Sequence, residues 1–274
     1  MYEVYGIIGD PVSQSLSPIM HNLAFKEKNI RAVYGAFRVS ADHLAKAVEG
    51  IKALNIKGLS VTIPHKEKIM EYLDEIDEIA YEIGAVNTIL NKEGILKGYN
   101  TDWIGVIKAF EVNEVELRDK KVVVIGAGGA SKAVLYAFIK SKAKEIYVYN
   151  RTFERAKILE EKFKITAKPW EELKNAEGDI IIQTTSVGLK SWETPVEEDV
   201  ISRFKVAMDI VYLPLKTKFL SIAEKYGKII DGLQMLLYQG VEQFKLWTGI
   251  EPPVELMKKA IYEEAKRIEK EILK

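Results

Sequence analysis

The stretch that decides the fold is residues 122–131, Val-Val-Val-Ile-Gly-Ala-Gly-Gly-Ala-Ser. Its first four residues are β-branched and predict a strand buried on both faces, which a glycine-rich turn connects to a helix over residues 131–140. Gly126 permits the tight turn, and the next two glycines let the backbone approach a pyrophosphate held at the helix N-terminus. Ser131 replaces the third glycine of the G-x-G-x-x-G pattern and is still small enough for helix and strand to pack. This pattern predicts the first βα turn of a dinucleotide-binding domain.

The next strand indicates which dinucleotide is bound. Residues 145–149, Glu-Ile-Tyr-Val-Tyr, end about twenty residues after the glycines, where an NAD site usually carries Asp or Glu against the ribose 2′-hydroxyl. This chain continues instead with Asn150, Arg151 and Thr152, and Arg155 follows one turn later. A guanidinium binds a 2′-phosphate through two parallel hydrogen bonds, so the pattern favours NADP over NAD. The alternative is that both arginines are ordinary solvated charges at a helix start.

Composition excludes several functional classes. The 274 residues contain 40 Lys plus Arg and 40 Asp plus Glu, and a net charge of zero gives no indication of a nucleic-acid or membrane surface. The chain has no cysteine, which excludes disulfides, thiolate nucleophiles and zinc–thiolate sites. It begins directly with a predicted strand and has no long apolar run, so we expect a cytoplasmic protein. We expect no metal site, because His21, His43 and His65 do not form a plausible ligand set.

Predicted strands and helices alternate along the whole length, which is typical of α/β construction. We expect two domains, an N-terminal, mainly parallel α/β domain that binds substrate and a Rossmann domain that binds NADP. The boundary is placed near residue 103. Residues 1–103 therefore form the substrate-binding and catalytic domain, and residues 104–239 form the nucleotide-binding domain.

Several helical segments are predicted outside the nucleotide-binding motif. Residues 18–28, 41–53 and 103–111 are predicted helices, and residues 66–83 are predicted to be mostly helical. Two helices are predicted at the end of the chain, over residues 233–247 and 253–273, and terminal helices of this kind commonly pack across a preceding domain. We therefore expect residues from about 240 to 274 to complete the first domain.

Three polar stretches follow predicted strands of the first domain, where α/β proteins bind ligands. The first contains Ser15 and Ser17, and Pro18 follows them. Two hydroxyls beside a helix N-terminus would make a compact carboxylate site. Ser17 can also be interpreted as a helix N-cap alone, with Pro18 at the first helical position.

The second and third stretches supply candidate acid–base groups. Lys66 follows the strand that ends with Thr62, Ile63 and Pro64, at a predicted helix start where a cation is unfavourable. A lysine whose proton affinity is lowered by such surroundings can act as a general base. Asp102 follows a strand in the run Gly-Tyr-Asn-Thr-Asp, where it is either functional or only the N-cap of the next helix.

Nine short motifs together carry a resemblance to a known family. They are, in order, Ser15-Leu-Ser-Pro18, Ser60-Val-Thr-Ile-Pro-His-Lys66, Gly84-Ala-Val-Asn-Thr88, Gly98-Tyr-Asn-Thr-Asp102, Gly126-Ala-Gly-Gly-Ala130, Asn150-Arg-Thr152, Asp209-Ile-Val-Tyr-Leu-Pro214, Asp231-Gly-Leu-Gln-Met235 and Gln239-Gly240. Over essentially its full length the chain resembles the shikimate dehydrogenases, NADP-dependent enzymes of aromatic amino-acid biosynthesis. The order and number of these motifs make the resemblance specific.

The resemblance implies a role for each matching residue. The catalytic pair is Lys66 and Asp102. The substrate carboxylate is bound by Ser15, Ser17 and Tyr212, and the ring hydroxyls by Thr62, Asn87, Asp102 and Gln239. NADP is bound by Gly126, Ala127, Gly128, Gly129, Ala130, Asn150, Arg151, Thr152 and Arg155, and its nicotinamide side is lined by Thr184, Ser186, Ile210, Gly232 and Met235. Gln183 departs from the Asn that relatives often carry at the start of the segment containing Thr184.

The implied reaction is the reversible, NADPH-dependent reduction of 3-dehydroshikimate to shikimate, with Lys66 as the proton donor and Asp102 holding it in place. Two alternatives stay open. The enzyme could act on quinate, alone or together with shikimate, or the chain could be a non-catalytic NADP-binding sensor, which the presence of both Lys66 and Asp102 disfavours. The terminal amphipathic helix could pack on its own chain or on a second copy, so a homodimer also stays open.

Overall fold

The structure, a computed structural model, describes residues 2–272 and divides into two compact units. The first unit comprises Met1–Asp102 with Gln239–Glu264, and the second Trp103–Tyr238 with Ala265–Lys274. Each unit contains one six-stranded sheet. The predicted fold class, two α/β domains of which one is a Rossmann domain, is confirmed by these sheets.

The first unit contains a mixed sheet in the order β2-β1-β3-β5-β6-β4. Its strands are β1 Glu3–Gly9, β2 Ala32–Arg38, β3 Gly58–Val61, β4 Glu75–Ile76, β5 Thr88–Lys92 and β6 Ile95–Tyr99. The parallel strands β1, β2 and β3 alternate with helices α1 Ser17–Glu27 and α2 Leu44–Ala53. Strands β5 and β6 form an antiparallel hairpin, and β5 also pairs antiparallel with β3. The carboxyl ends of β3 and β6 are followed by Thr62 and by the segment that leads to Asp102.

Residues 66–83, which the sequence predicts to be mostly helical, contain two short helical segments with a strand between them. This segment is a turn followed by a 3₁₀ helix over Lys68–Tyr72, then β4, then a short helix α3 over Glu78–Ile83. Tertiary hydrogen bonds outweigh the local helical preference here, because Asp74 Oδ2 accepts from Leu96 N at 2.7 Å and β4 pairs with β6. Lys66 therefore lies in a turn and not at the start of a helix, so the prediction that a helix dipole disfavours its charge is wrong.

The N-cap interpretation of Ser17 is also wrong. Helix α1 begins at Ser17 itself, Leu16 occupies the N-cap position, and no side chain caps the helix. The Ser17 backbone N–H donates instead to Ser15 Oγ at 3.2 Å, so the serine two residues earlier supplies the oxygen that a capping side chain normally would.

The second unit contains an all-parallel sheet in the order β12-β11-β10-β7-β8-β9. Its strands are β7 Lys121–Ile125, β8 Glu145–Tyr149, β9 Thr166–Lys168, β10 Ile180–Gln183, β11 Val206–Asp209 and β12 Lys228–Ile230. If β7 is counted as strand 1 and the sheet is read from β9 to β12, the strand order is 3-2-1-4-5-6. This order is the doubly wound dinucleotide-binding topology. The point where the order reverses lies between β7 and β10, so the glycine-rich turn after β7 is at the switch point where such sheets bind ligands.

Helix α4 Asp102–Val112 precedes this sheet, and its strands are connected by segments that contain α5 Gly129–Lys140, α6 Phe153–Phe163, α7 Glu198–Ile201 and α8 Lys218–Ala223. Two longer helices, α9 Gly232–Thr248 and α10 Val254–Ile272, follow the last strand. Strand β7 is almost completely buried, as its continuous apolar sequence predicts. Within the described residues no helix is both long enough and apolar enough to cross a bilayer.

The terminal helices contribute to the first unit. From Gln239 onward α9 belongs to that unit, and Trp247 Nε1 donates to the Ile89 backbone oxygen on β5 at 3.0 Å. The first part of α10 belongs there as well, whereas the residues from Ala265 onward group with the second unit. Leu273, the last residue of the predicted helix, lies outside the described residues.

One buried acid in the second unit gives its stability a pH dependence. Asp209, at the end of β11, is fully buried and accepts hydrogen bonds from Thr217 Oγ1 at 2.7 Å and from Val211 N at 2.9 Å. Burial raises the pKa of its carboxyl from 3.8 to about 7, and the two hydrogen bonds oppose this shift only in part. The folded state therefore binds a proton here that the unfolded state releases at lower pH.

We expect Asp209→Asn to remove this pH dependence. Because burial raises the folded pKa, the contribution of the Asp209 proton to stability is fully present below the unfolded pKa and is lost as pH rises to about 7, by a total on the order of 1–4 kcal/mol. The melting temperature of Asp209→Asn minus that of wild type should rise between about pH 4.5 and pH 7 and then stay level. Glu116→Gln, at an exposed position of the same unit, is the control. A difference that is constant with pH would show that Asp209 ionises normally.

Candidate active site

An ion pair lies beyond the strand ends of the first unit. Lys66 Nζ is 2.5 Å from Asp102 Oδ2, and the two side chains are only 14% and 4% exposed. Lys66 is positioned by the turn after β3, where its backbone oxygen accepts from Val86 N at 2.7 Å. Asp102 begins α4 directly after the segment that follows β6. Asp102 is thus the first residue of α4 and not its N-cap, and its carboxylate binds the lysine and an amide.

The amide is that of Asn87, which connects this pair to the rest of the unit. Asn87 Nδ2 lies 2.9 Å from Asp102 Oδ1, 2.9 Å from Thr101 Oγ1 and 3.1 Å from Gln239 Oε1. The Thr101 backbone N–H donates to Asn87 Oδ1 at 2.7 Å, which fixes the orientation of the amide. Four of the predicted site residues, Lys66, Asn87, Asp102 and Gln239, therefore form one contiguous cluster.

This cluster is suited to proton transfer. An ammonium and a carboxylate in direct contact, both mostly withdrawn from water, can give a proton to a bound oxygen or take one from it without a metal ion. Removal of one partner would leave an uncompensated buried charge, so the two groups act as a unit.

The other predicted residues of the first unit lie at neighbouring strand and helix ends. Ser15 is half-buried in the loop before α1, and Ser17 is buried at the first helical position. Thr62 follows β3 and packs its methyl group against Gly9, where an added Cβ would lie 2.3 Å from Thr62 Cγ2. Ser15 and Ser17 thus follow β1 and Thr62 follows β3, and these two strands are parallel neighbours whose carboxyl ends lie at the same edge of the sheet.

The glycine-rich turn of the second unit has the geometry that a dinucleotide needs. Gly126 has a φ of +112°, its N–H donates to the Tyr149 oxygen at 2.8 Å, and a Cβ there would lie 2.6 Å from Thr184 Oγ1. Only glycine fits this position. Gly128 differs, because a Cβ added to it would meet no atom within 4 Å. The backbone is therefore open at the N-terminus of α5, where the N–H groups of the first helical turn can bind an anion.

Ser131 does more than provide a small side chain at the third glycine position. It is completely buried, and its Oγ accepts from Gly128 N at 3.1 Å and lies 2.6 Å from Thr184 Oγ1. Thr184 donates in turn to the Ile125 backbone oxygen at 2.7 Å, so Ser131 is the donor to Thr184. This sequence of hydrogen bonds joins the turn, the start of α5 and the ends of β7 and β10 at the switch point.

The residues predicted to recognise the 2′-phosphate follow β8, the neighbour of β7. Arg151 and Arg155 are both exposed, one before α6 and the other in its first turn. Asn150 Nδ2 donates to the Thr152 backbone oxygen at 2.8 Å, which shapes the loop that presents Arg151. Both guanidinium groups are therefore exposed to solvent after β8, the strand that pairs with β7, and a guanidinium can bind a phosphate through two parallel hydrogen bonds.

The residues predicted on the nicotinamide side follow strands β10, β11 and β12. Gln183, the departure from the family pattern, is buried; its Nε2 donates to the Val187 oxygen at 2.8 Å and its Oε1 accepts from Thr185 N. It thus holds the loop that contains Thr184 and Ser186. Gly232 is required by close approach, since a Cβ there would lie 2.5 Å from the Ile210 oxygen. Met235, in the first turn of α9, is buried. Tyr212 is half-buried in the loop after β11.

Two residues of the first-unit cluster were not predicted from the sequence. Thr101 orients Asn87, and Gln243 lies one helical turn after Gln239, completely buried. A polar residue four positions after another on an otherwise apolar helix face is the one sequence signal that could have identified Gln243. Within residues 2–272 no group of three or more His, Asp or Glu side chains is arranged to hold a metal ion.

Comparison with protein families gives three adjacent matches along the chain. Residues 7–89 match the shikimate dehydrogenase substrate binding domain, residues 108–205 match the shikimate / quinate 5-dehydrogenase family, and residues 232–262 match the shikimate 5′-dehydrogenase C-terminal domain. These matches include Lys66, Asn87 and Gln239 of the cluster and the glycine-rich turn, whereas Asp102 lies between the first two matched ranges.

Whole-chain comparisons agree with the family matches. The chain is 50% identical to a shikimate dehydrogenase (NADP(+)) from Pyrococcus abyssi over 264 residues, which cover 95% of this chain and 98% of the relative. It is 48% identical to the enzyme of the same name from Thermococcus kodakarensis over 265 residues, covering 95% and 96%. The crystal structure of shikimate 5-dehydrogenase from Thermus thermophilus, in complex with NADP(H) and shikimate, superimposes with a TM-score of 0.88 at 34% identity, covering 95% of this chain and 99% of that one. The resemblance found in the sequence is thereby confirmed, and the chain belongs to the shikimate dehydrogenase family.

Proposed function

We propose that this protein is an NADP-dependent oxidoreductase that reduces 3-dehydroshikimate to shikimate, reversibly, in the biosynthesis of aromatic amino acids. The observation that carries the proposal is the Lys66–Asp102 ion pair held by Asn87, in the unit that matches a substrate binding domain. A Rossmann unit with exposed arginines after its second strand supports NADP as the cofactor, in agreement with the names of the relatives.

The proton chemistry follows from the ion pair. When bound, NADPH supplies the hydride that the carbonyl carbon of the substrate accepts. Lys66 gives a proton to the carbonyl oxygen as it becomes a hydroxyl, and in the reverse direction the neutral amine takes that proton back. Asp102 holds the lysine nitrogen and accepts a hydrogen bond from the same hydroxyl. The hydrogen bonds of Asn87 keep the carboxylate in place during both directions of the reaction.

The remaining site residues divide by the part of the substrate they bind. Ser15, Ser17 and Tyr212 bind the carboxylate, for which hydroxyl donors are suitable partners. Thr62, Asn87, Asp102 and Gln239 bind the ring hydroxyls, and the carboxamides offer both donors and acceptors for them. All of these residues except Tyr212 lie in the first unit, which comprises residues 1–102 and 239–264. The first unit would therefore bind most of the substrate, and the second unit would bind NADP and contribute Tyr212.

The cofactor site uses backbone and side-chain groups of the second unit. Gly126, Ala127, Gly128, Gly129 and Ala130 would hold the pyrophosphate, and Asn150, Arg151, Thr152 and Arg155 the adenosine 2′-phosphate. Thr184, Ser186, Ile210, Gly232 and Met235 would line the nicotinamide. A cytoplasmic location and a homodimer both stay predictions, and light scattering of the purified protein would decide the second.

The substrate assignment predicts a clear preference in turnover. With NADP, shikimate should be oxidised with a kcat/KM at least about tenfold above that for quinate, whose extra tertiary hydroxyl lies beside the carboxylate and must be accommodated next to Ser15 and Ser17. Absorbance of reduced nicotinamide measures both reactions. A higher value for quinate would replace the proposal with a quinate dehydrogenase, and NADP binding without turnover of either would support a sensor.

Replacement of the proposed proton donor should abolish most of the activity. Lys66→Ala is expected to lower kcat by about 10²–10⁴-fold, the usual contribution of a positioned acid–base group. Lys68→Ala is the matched control, because Lys68 is exposed, two residues away and paired only with surface Glu71. Initial rates at saturating shikimate and NADP measure the effect. If Lys66→Ala kept a kcat within a few-fold of wild type, Lys66 would not be the proton donor.

Recognition of the 2′-phosphate should depend on Arg151. Arg151→Ala is expected to weaken NADP binding by about 10–100-fold, the loss of charge-assisted hydrogen bonds, while NAD binding changes little. Arg118→Ala, at another exposed position of the second unit, should affect neither cofactor. Titration calorimetry with both dinucleotides gives the ratio of dissociation constants. Equal losses for NADP and NAD would mean that Arg151 does not contact the phosphate.

A further inference from the structure

We propose that Gln243 is a positioning residue for the Lys66–Asp102 pair, acting through a one-directional chain of hydrogen bonds that ends on the Asp102 carboxylate. The proposal rests on the proposed function, in which this pair transfers the proton. The donor chain consists, in order, of Tyr34, Ser60, Gln243, Thr88, Asn87 and Asp102. Every member is buried, so water does not compete for these hydrogen bonds.

The direction of the donor chain near Asp102 is fixed by a backbone group. The Thr101 N–H can only donate, and it donates to Asn87 Oδ1 at 2.7 Å, so the amide nitrogen of Asn87 is the atom that points to Asp102 Oδ1. Thr88 Oγ1 lies 2.8 Å from the same Asn87 Oδ1. Since a carbonyl oxygen only accepts, the Thr88 hydroxyl must be the donor.

A second backbone group fixes Gln243. Its Nε2 lies 3.2 Å from the Asn87 backbone oxygen, which only accepts, and 2.9 Å from Thr88 Oγ1. The amide oxygen is therefore on the other side, where it accepts from Ser60 Oγ at 2.8 Å. Ser60 in turn accepts from the Tyr34 hydroxyl at 2.6 Å. The Gln243 amide thus joins the side chains of the Tyr34–Ser60 half of the chain to those of the Thr88–Asn87 half.

The consequence is electrostatic as well as geometric. Hydrogen bonds aligned in one direction polarise one another, and each donor in this chain points toward the Asp102 end. The carboxylate therefore receives a strengthened hydrogen bond from Asn87, and its position fixes Lys66 Nζ in turn. Without Gln243, the Ser60 hydroxyl and the Asn87 carbonyl lose a partner, and the Thr88 hydroxyl loses the donor that directs its own proton to Asn87.

Two substitutions distinguish positioning from packing. Gln243→Leu keeps most of the volume and removes both ends of the amide. Gln243→Glu keeps the shape, but an ionised carboxylate only accepts, so it cannot donate to Thr88 and turns that hydroxyl away from Asn87. Glu242→Gln, on the partly exposed side of the same helix, is the matched control.

The experiment measures kcat and KM for shikimate between about pH 5.5 and 9 for the wild type and these variants. We expect Gln243→Leu to lower kcat by about tenfold, with a smaller change in KM and the same ratio to wild type at every pH. For Gln243→Glu the ratio to wild type should rise as pH falls, because a protonated carboxyl regains the donor. The titratable groups that contact the chain are Lys66 at one end, Tyr34 at the other, and His21, which is stacked on Tyr34 and also lies beside Gln243. Burial lowers the pKa of His21 to about 3, so it stays neutral over this range.

A kcat for Gln243→Leu within twofold of wild type would overturn the proposal, and so would a Gln243→Glu ratio that does not change with pH. If Gln243→Leu does not fold, Thr88→Val and Thr88→Ser provide the same test one step along the chain. Loss of kcat in Thr88→Val with recovery in Thr88→Ser supports the donor chain, and equal kcat values contradict it. Wild-type turnover is measured first, so that an inactive wild type counts against the proposed function, whereas unaffected variants of an active enzyme count only against this inference.

Discussion

The Lys66 ammonium and the Asp102 carboxylate are 2.5 Å apart and almost entirely removed from water, and the loss of their hydration must be compensated by the protein. Their mutual attraction supplies part of this compensation, and the amide of Asn87 supplies a further hydrogen bond to the carboxylate. Asn87 in turn depends on Thr101, Thr88 and helix α9. The buried polar side chains around Asn87 therefore hold the ion pair in a fixed geometry. The same geometry is what a proton donor to a carbonyl oxygen requires.

The second unit also uses buried hydrogen bonds to support its site, which in this case must bind a dinucleotide. A dinucleotide needs backbone N–H groups at a helix N-terminus and a chain that leaves room for its phosphates. Gly126 and Gly128 provide these conditions, and the Ser131–Thr184–Ile125 hydrogen bonds hold the ends of β7 and β10 together at the point where the strand order reverses. A serine at the third glycine position thus contributes hydrogen bonds in addition to allowing close packing. In each unit the reacting or binding groups are carried by strand ends and supported by buried hydroxyls and amides.

The sequence was informative where the physical signal is local. The buried strand before Gly126 and the arginines after β8 are patterns of adjacent residues, and the structure has the corresponding elements in the predicted order. Local reasoning failed over residues 66–83, because helical preference there is outweighed by pairing with β6. It also missed Gln243, since its partners Ser60 and Thr88 are 183 and 155 positions away in the chain. The predicted helix start does not account for Lys66, because the lysine lies in a turn and contacts Asp102, which is 36 positions away in the chain.

A structure of the protein with shikimate bound tests the central claim most directly. The account predicts that one ring hydroxyl lies within hydrogen-bond distance, about 2.6–3.2 Å, of both Lys66 Nζ and a carboxylate oxygen of Asp102, with the Asn87–Asp102 hydrogen bond retained. Shikimate bound with a ring hydroxyl at that position would place the reacting oxygen where the proton must be transferred. Shikimate bound with no hydroxyl near Lys66 would contradict the assignment of this ion pair as the proton-transfer group.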